Sequence, residues 1–527
     1  MFEIANLPTE LGERKNAPLL TGILRGIERE ALRVSKDGKF SHKDHPKGMG
    51  SALTHPMITT DFSESLLEFI TPPTHQVEDL FLHLDNIHRF ALSQMDGEML
   101  WTNSMPCALP TDENNIPVAL YGSSNNGRMK TIYRVGLGHR YGRAMQTVAG
   151  IHYNFSLPDA FWAHFHTKEN SPLSLEEYKN QRYFSMIRNF RRNFWLLILL
   201  FGASPAMCAS FIGDRQHNLD VFPGNKALYL PHATSLRMGD LGYQSSAQES
   251  LFICYNQKNT YIDTLGKAIL TPFEGYNDIG ADSKEHQQLS DGLLQIENEF
   301  YSSIRPKRTA KAGETALTAL KNRGVEYIEV RCLDINPFDP LGISAEQVAF
   351  LDTFLLHCAL SDSPDADNDE FYKILRNQKA VVNRGREPEL MLEHPELGKI
   401  SLESWAKSLM DAMQPVASLL DSAYENDTHN AALSTQRETI TDLDRTPSAQ
   451  ILSTLAHGDT PFSENALSIA LENDKKLREN ALSEERMATY AAIAEESTNE
   501  QAEIEANSTE SFDEFLKAYY KQYEKLL

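Results

Sequence analysis

Two glutamates separated by one residue, Glu28 and Glu30 in GIERE, are the first residues whose types and spacing could do chemistry. On a strand, side chains alternate between faces, so both carboxylates would project the same way. Like charges side by side repel, and holding both ionised calls for a compensating cation. A second acidic group lies in DFSESLLEF (61–69). There Glu64 and Glu68 share a face in helix or strand alike, and Asp61 joins them only in a helical turn. His152 in IHYNFS offers a neutral imidazole, and Glu329 with Arg331 in YIEVRCL occupies one strand face. Oxygen donors in this number, with a single histidine, suit Mg²⁺ or Mn²⁺ better than zinc or copper. Each group taken alone reads equally well as a solvated strand face. Glu64 reads best as an acid at a helix start, where it favours the dipole.

The basic complement is RPKR (305–308), just after ENEFY (297–301), with Arg237 in SLRMGDLGY (235–243). A short Arg/Lys cluster in an acidic chain can clamp phosphate. No GxxxxGK[ST] or GxGxxG is present, and the glycine-rich YRVGLGHRYG (133–142) has the wrong spacing for either. Nucleotide phosphates, if bound, must therefore be held by metal ions and arginines rather than by a Walker loop. No GxSxG and no cysteine beside a histidine motif points to a nucleophile. The residues by themselves specify a multi-carboxylate metal site with an arginine phosphate clamp.

The elements that must position these groups are legible from alternation. Gly26–Val34, Ile151–Leu157 and Gly324–Leu333 read as strands with polar inner faces. Leu175–Phe201 and Ser344–Leu360 read as helices. Such strands, separated by long irregular helical insertions, predict an α+β fold with an antiparallel sheet. SDSPDADNDE (361–370) is an acidic loop and a plausible boundary. Residues 1–360 are expected to carry the chemistry, and 361–527 to be mostly helical and acidic, with none. Within that second part, 495–510 reads as solvated helix faces or a loose linker before a helix near Phe512–Leu526.

Composition narrows the class. With 527 residues, 41% hydrophobic and 23% charged, the chain has the make-up of a globular enzyme. A formal net charge of −23 excludes a nucleic-acid binder, which needs positive potential. The five cysteines are scattered without CxxC spacing, so neither a zinc site nor a disulfide framework is expected. Reduced thiols and a start lacking a signal peptide fit a cytoplasmic location. The most apolar run, FWLLILLFGA (194–203), is about half the ~20 residues of a membrane span, so no membrane partner is expected. No exposed apolar stripe stands out in the C-terminal helices, and a monomer is expected.

Five stretches in order, RGIEREALRV, SALTHPMITTDFSESLLEFITPP, GIHYNFSLP, YLPHATSLRMGDLGY and GVEYIEVRCLDINPFDPLG, resemble the glutamate–cysteine ligase family of the enterobacterial type. The resemblance runs from about Gly22 to Gly342 and fades after Ser361. It implies a bowl-like antiparallel sheet shared with glutamine synthetase. It also implies ATP-dependent joining of the γ-carboxylate of L-glutamate to the amine of L-cysteine through γ-glutamyl phosphate, the first step of glutathione synthesis. On this resemblance the metal ligands fall on Glu28, Glu30, Asp61, Glu68, His152 and Glu329, for Mg²⁺ with Mn²⁺ as a substitute. The cysteine pocket falls on Tyr133, Arg237, Tyr243 and Tyr301, with Asn298 a further substrate contact. Arg305, Lys307 and Arg331 face ATP, and Glu329 and Arg331 take the catalytic roles. Arg134 matches a motif position with a role toward glutamate or ATP. The related amine 2-aminobutyrate would fit the same acceptor pocket, since a methyl replaces the thiol.

Overall fold

In the computed structural model, residues 9–222, 227–242, 248, 251–456 and 461–527 are described. The seven-stranded sheet at its centre is antiparallel throughout. Its strands are β1 (Leu24–Ser35), β2 (Ile58–Thr60), β3 (Leu66–Ile70), β4 (Glu98–Leu100), β5 (Ile151–Ser156), β6 (Ile304–Lys307) and β7 (Tyr327–Leu333). They are ordered β2-β3-β1-β5-β7-β6, with β4 also pairing β1. The three strands expected from alternation are all present, and the α+β class holds.

Register explains why alternation works here. Glu28 lies opposite both Ile70 and His152, Glu30 opposite Glu68, Glu329 opposite Asn154 and Arg305, and Tyr327 opposite Lys307. Directly opposed residues share a face, so one side of the sheet gathers the polar set. The other side carries Ile27, Phe69, Tyr153, Phe155, Ile328 and Val330, all fully buried. Helices Val77–Ser93, Leu175–Asn193 and Trp195–Phe201 pack on strands of this sheet. The apolar run at 194–203 is thus a core helix, and no described helix is long and apolar enough to cross a membrane.

Behind β1, Arg25 is wholly buried and bonds Asp352 in helix Ala345–Leu360 at 2.7 Å. The Tyr153 hydroxyl donates to the same carboxylate at 2.7 Å, and Arg25 also donates to the Tyr424 hydroxyl at 2.9 Å. Burial opposes the Arg25 charge, but Asp352 and the two tyrosines hold its guanidinium above the ordinary value. This buried knot ties β1 and β5 to helices from both parts of the chain.

Residues beyond 361 are mostly helical, as expected. Leu402–Tyr424 and Thr428–Thr441 pack on Ala345–Leu360, and Trp405 meets Trp195 with ring centres 4.9 Å apart. One hydrophobic cluster includes Ile27, Phe155, Trp405 and Tyr523. The stretch at 495–510 is no loose linker: helix Glu484–Asn507 runs through most of it. That helix is docked by Ser497, whose hydroxyl accepts from the Ser51 amide at 3.0 Å, and by Glu505, which accepts from the Ser123 amide at 2.8 Å.

Two other expectations, for Glu64 and for the cysteines, are corrected. Glu64 does not start a helix; it sits in the turn before β3, buried, accepting from the amides of His45 (2.6 Å) and Leu120 (2.7 Å). It is a clamp between loops. The glycine-rich 133–142 run is helical, within Asn125–Tyr141. A Cβ at Gly136 would meet the end of the Gln295 side chain, which would have to move to admit it. Finally, Cys107 and Cys208 are joined as a disulfide, with Cα atoms 5.3 Å apart and a sequence separation of 101. Sequence spacing carries no signal for a pairing made only by tertiary approach. The remaining thiols, Cys254, Cys332 and Cys358, are free. Denatured but unreduced protein should therefore titrate as the three free thiols, and reduced protein as all five. Five thiols before reduction would remove the bridge.

Burial also pushes the His45, His55 and His357 imidazoles down to about 4. Each is depressed below its unfolded value near 6.5, so the unfolded chain binds more protons between the two. The stability these groups contribute is fully present above pH ~6.5 and is lost as pH falls toward 4. Thermal melts followed by circular dichroism should show a lower Tm at pH 5 than at pH 7, with a shallower fall in His357→Leu. Equal slopes in the two proteins would deny His357 a share.

Candidate active site

The polar face of the sheet forms the floor of a cavity of about 570 Å³. Glu28, Glu30, Asp61, Glu68, His152, Glu329, Arg331, Lys307, Arg305, Asn298, Tyr133 and Tyr301 all line it. β1 delivers Glu28 and Glu30, β3 delivers Glu68, β5 His152, β6 Arg305 and Lys307, and β7 Glu329 and Arg331. Asp61 enters from the turn after β2, not from the helical turn considered for it; its carbonyl accepts from Arg134, whose guanidinium also lies 4.5 Å from the Tyr121 ring centre.

Ligand atoms of Glu28, His152 and Glu329 converge within 4.8 Å of one another. His152 Nδ1 is 3.1 Å from Glu28 and 3.6 Å from Glu329, and its Nε2 is 3.5 Å from Glu30. Two buried atoms in this group, His152 Nε2 and Glu329 Oε2, have no hydrogen-bond partner. Leaving a buried polar atom unpaired costs about 1–3 kcal/mol, more for a charged one. The donor set of carboxylates with one imidazole fits Mg²⁺ or Mn²⁺. The electrostatics agree. Burial and then Glu28, Asp61 and Glu30 push the Glu68 carboxyl well up. Glu30 is raised chiefly by burial. Burial also works against the Glu329 charge, but Arg331, Lys307 and His152 outweigh it and hold that carboxyl well below the usual range.

The cations are poised beside this cluster. Arg331 donates to Glu329 at 2.9 Å, and Lys307 lies 3.5 Å from its other oxygen. Arg305 is tied by the carbonyls of Asn298 (2.8 Å) and Phe300 (2.6 Å), which shapes the 298–301 wall. Tyr301 accepts from Gln146 at 2.9 Å.

Arg237 stands apart from the other expected residues. It is buried beneath the wall, bonding Asp334 at 2.7 Å and the Leu333 carbonyl at 2.8 Å. Its charge reaches Glu30 from below. Tyr243 lies outside the described residues. Reasoning from sequence missed Gln146, Lys130, Glu297 and Tyr519, which also line the cavity. Tyr519 comes from the region in which no chemistry was expected.

A family model for glutamate–cysteine ligase matches residues 9–381. The chain belongs to the glutamate–cysteine ligase family. The kinship extends beyond the matched span, so the fading of the resemblance after Ser361 reflects weak motifs rather than a different origin. A glutamate–cysteine ligase of Saccharophagus degradans is 58% identical over 526 residues, covering 99% of both chains. One of Pseudomonas aeruginosa is 49% identical over 510 residues, covering 97% of this chain and 96% of that one. Among solved structures, the glutamate–cysteine ligase of Francisella tularensis in complex with AMP superposes with a TM-score of 0.89 at 36% identity, over 96% of this chain and 99% of that one. A bifunctional glutathione synthetase of Pasteurella multocida shares the fold, with a TM-score of 0.70 at 24% identity. The match covers 91% of this chain and 57% of that protein.

Proposed function

We propose that the cavity carries out the family's reaction, ATP-dependent formation of γ-glutamylcysteine, with Mg²⁺ held by Glu28, Glu30, Asp61, Glu68, His152 and Glu329. The observation that carries this reading is the convergence of Glu28, His152 and Glu329, whose ligand atoms lie within 4.8 Å of one another. Attack of the glutamate γ-carboxylate on the γ-phosphate of ATP brings two anions together. Each pair of unit charges ~4 Å apart repels by about 4 kcal/mol at an effective dielectric near 20. The chemistry supplied by Mg²⁺ here is neutralisation of that charge and alignment of the phosphoryl group. Arg331 and Lys307 then stabilise the charge that spreads over the transferring group. Arg305 faces the nucleotide, and Asn298 contacts the amino-acid substrate. The acyl phosphate so formed has phosphate as its leaving group, and the cysteine amine displaces it.

Tyr133, Tyr301 and Tyr243 are assigned to the acceptor, with hydroxyls for its carboxylate and rings around its thiol. Arg237 belongs to the same region and acts from beneath, its guanidinium being engaged by Asp334. The chain works as a monomer in this reading, since every assigned residue comes from one chain, and in the cytoplasm, where ATP and free cysteine meet.

The test is phosphate release from ATP and Mg²⁺, with glutamate and cysteine added separately and together. Release that needs both amino acids, with γ-glutamylcysteine found by mass, is the expected result. Faster release with 2-aminobutyrate would change the acceptor. Release without any amino acid would replace the ligase by a phosphohydrolase.

A further inference from the structure

Helix Leu175–Asn193 closes with Arg188, Arg191 and Arg192, and the three are treated very differently by their surroundings. Arg188 donates to the Ser363 carbonyl at 2.8 Å and to the Asn256 carbonyl at 2.7 Å. Arg192 grips the Glu370 carboxylate with two nitrogens and donates to the Pro364 carbonyl at 2.8 Å. Arg191 has no such partner. Its guanidinium lies 4.5 Å from the Tyr255 ring centre and 5.2 Å from that of Phe371, and among the described residues it makes no hydrogen bond or ion pair. Ring faces attract a cation but do not neutralise it. Burial lowers the Arg191 guanidinium from its ordinary value, and Glu370, whose charge opposes that fall, is already committed to Arg192.

Arg191 lines a second cavity, of about 390 Å³, which shares only Tyr301 with the cavity on the sheet. Small-molecule sites usually fall between about 300 and 1,000 Å³ and set a few polar groups in apolar walls. The walls here fit that description. Phe194, Met238, Tyr255, Phe300, Phe371 and Ile374 line the space, all buried except the half-buried Phe300. Helix Asn368–Arg384 supplies Phe371 and Ile374, together with the cations Arg376 and Lys379. Those two cations are balanced: Arg376 bonds Glu393 at 2.7 Å, and Lys379 pairs with Asp240. Among the described lining residues, Arg191 alone carries a positive charge without a counterion.

A guanidinium is a planar fork whose N–H groups match a carboxylate bidentately. An inorganic anion would satisfy it but leave the aromatic walls unfilled. An uncharged ring would fill the walls but leave the charge unpaired. Glutamate and ATP suit the space badly, because their further charged groups would lose water against apolar side chains. We infer that this second cavity is a binding site for a small arylalkyl carboxylate, with the carboxylate on Arg191 and the ring among Phe194, Tyr255, Phe300 and Phe371. The site is separate from the one assigned to the ligase reaction and does not depend on it.

The experiment titrates the full chain with 3-phenylpropionate by calorimetry. Two controls each remove one half of the ligand: 3-phenylpropan-1-ol lacks the charge, and acetate lacks the ring. Phenylpropionate should bind at least about tenfold more tightly than either, the scale of one charge-assisted pair or one buried ring. Arg191→Gln should remove that advantage over the alcohol while leaving the affinity for the alcohol itself unchanged. No binding to wild type overturns the inference, and so does equal affinity for the alcohol or for acetate. Phenylpropionate affinity unchanged in Arg191→Gln would place the probe elsewhere and overturns it too. Circular dichroism melts establish that the variant is folded. If it is not, Leu375→Trp fills the same cavity from a half-buried position on its wall. Phenylpropionate binding should then be lost, and wild-type affinity in that variant overturns the inference. These titrations need no turnover, so a chain that makes no γ-glutamylcysteine would sink the proposed reaction and leave this site standing.

Discussion

Glu329→Gln should fold and bind nucleotide weakly, yet turn over at least about a hundredfold more slowly than wild type. Gln keeps the volume but loses the charge that faces Arg331, Lys307 and His152 together. It also removes one anionic oxygen from the group whose ligand atoms lie within 4.8 Å. A loss of ~3 kcal/mol of charge stabilisation, modest for Lewis-acid catalysis, is already about a hundredfold in rate. Steady-state phosphate release across a Mg²⁺ titration separates two effects. A higher Mg²⁺ requirement marks the lost ligand, and a lower kcat at saturating Mg²⁺ marks the lost alignment. Turnover equal to wild type at low Mg²⁺ would sink the metal assignment for Glu329.

The second large effect is on stability rather than rate. Asp352→Ala strands the Arg25 guanidinium in a fully buried position and takes the acceptor from the Tyr153 hydroxyl. Breaking a buried pair in this way costs about 3–5 kcal/mol. Spread over a chain of 527 residues at ~2.1 cal/mol/K per residue, that lowers Tm by about 3–5 °C. Replacing both partners, with Arg25→Met and Asp352→Leu together, should cost less than Asp352→Ala alone, because no lone charge stays behind. Calorimetric melts of the three variants decide it. A Tm for Asp352→Ala within a degree of wild type would show that water reaches Arg25.

The two variants touch opposite faces of the same sheet, and that geometry explains what could be read from sequence. Glu28, Glu30, His152, Glu329 and Arg331 were legible because strand alternation is local: a spacing of two fixes a shared face without knowledge of the partner strand. The α+β class followed from the same local signal. The opposed pairing of Glu28 with His152, or of Glu329 with Arg305, is a register, and no single stretch encodes it. Glu64 was misread because two amides from distant loops, not a helix, satisfy its carboxylate. The Cys107–Cys208 bridge depends on approach across a sequence separation of 101. Tyr519 left no mark at all. It sits in a run with ordinary helical periodicity, and its value comes from Glu297 and Thr315, which its neighbours hold. The residues that spacing revealed are those on strands; the ones it missed are those that one element lends to another.

The grip of helix Phe512–Glu524 on the 295–299 and 313–316 segments, made by Tyr520, Tyr523 and Gln522, carries a consequence for the order of synthesis. The ribosome delivers the acidic strand residues long before this helix, and a domain's elements appear from the N-terminal side first. Until the helix emerges, one wall of the cavity is missing, although most of the charged residues around it are in place. A half-made chain thus holds the acidic strand residues without the wall that Tyr519 and its helix supply. The cavity is completed only at a late stage of translation.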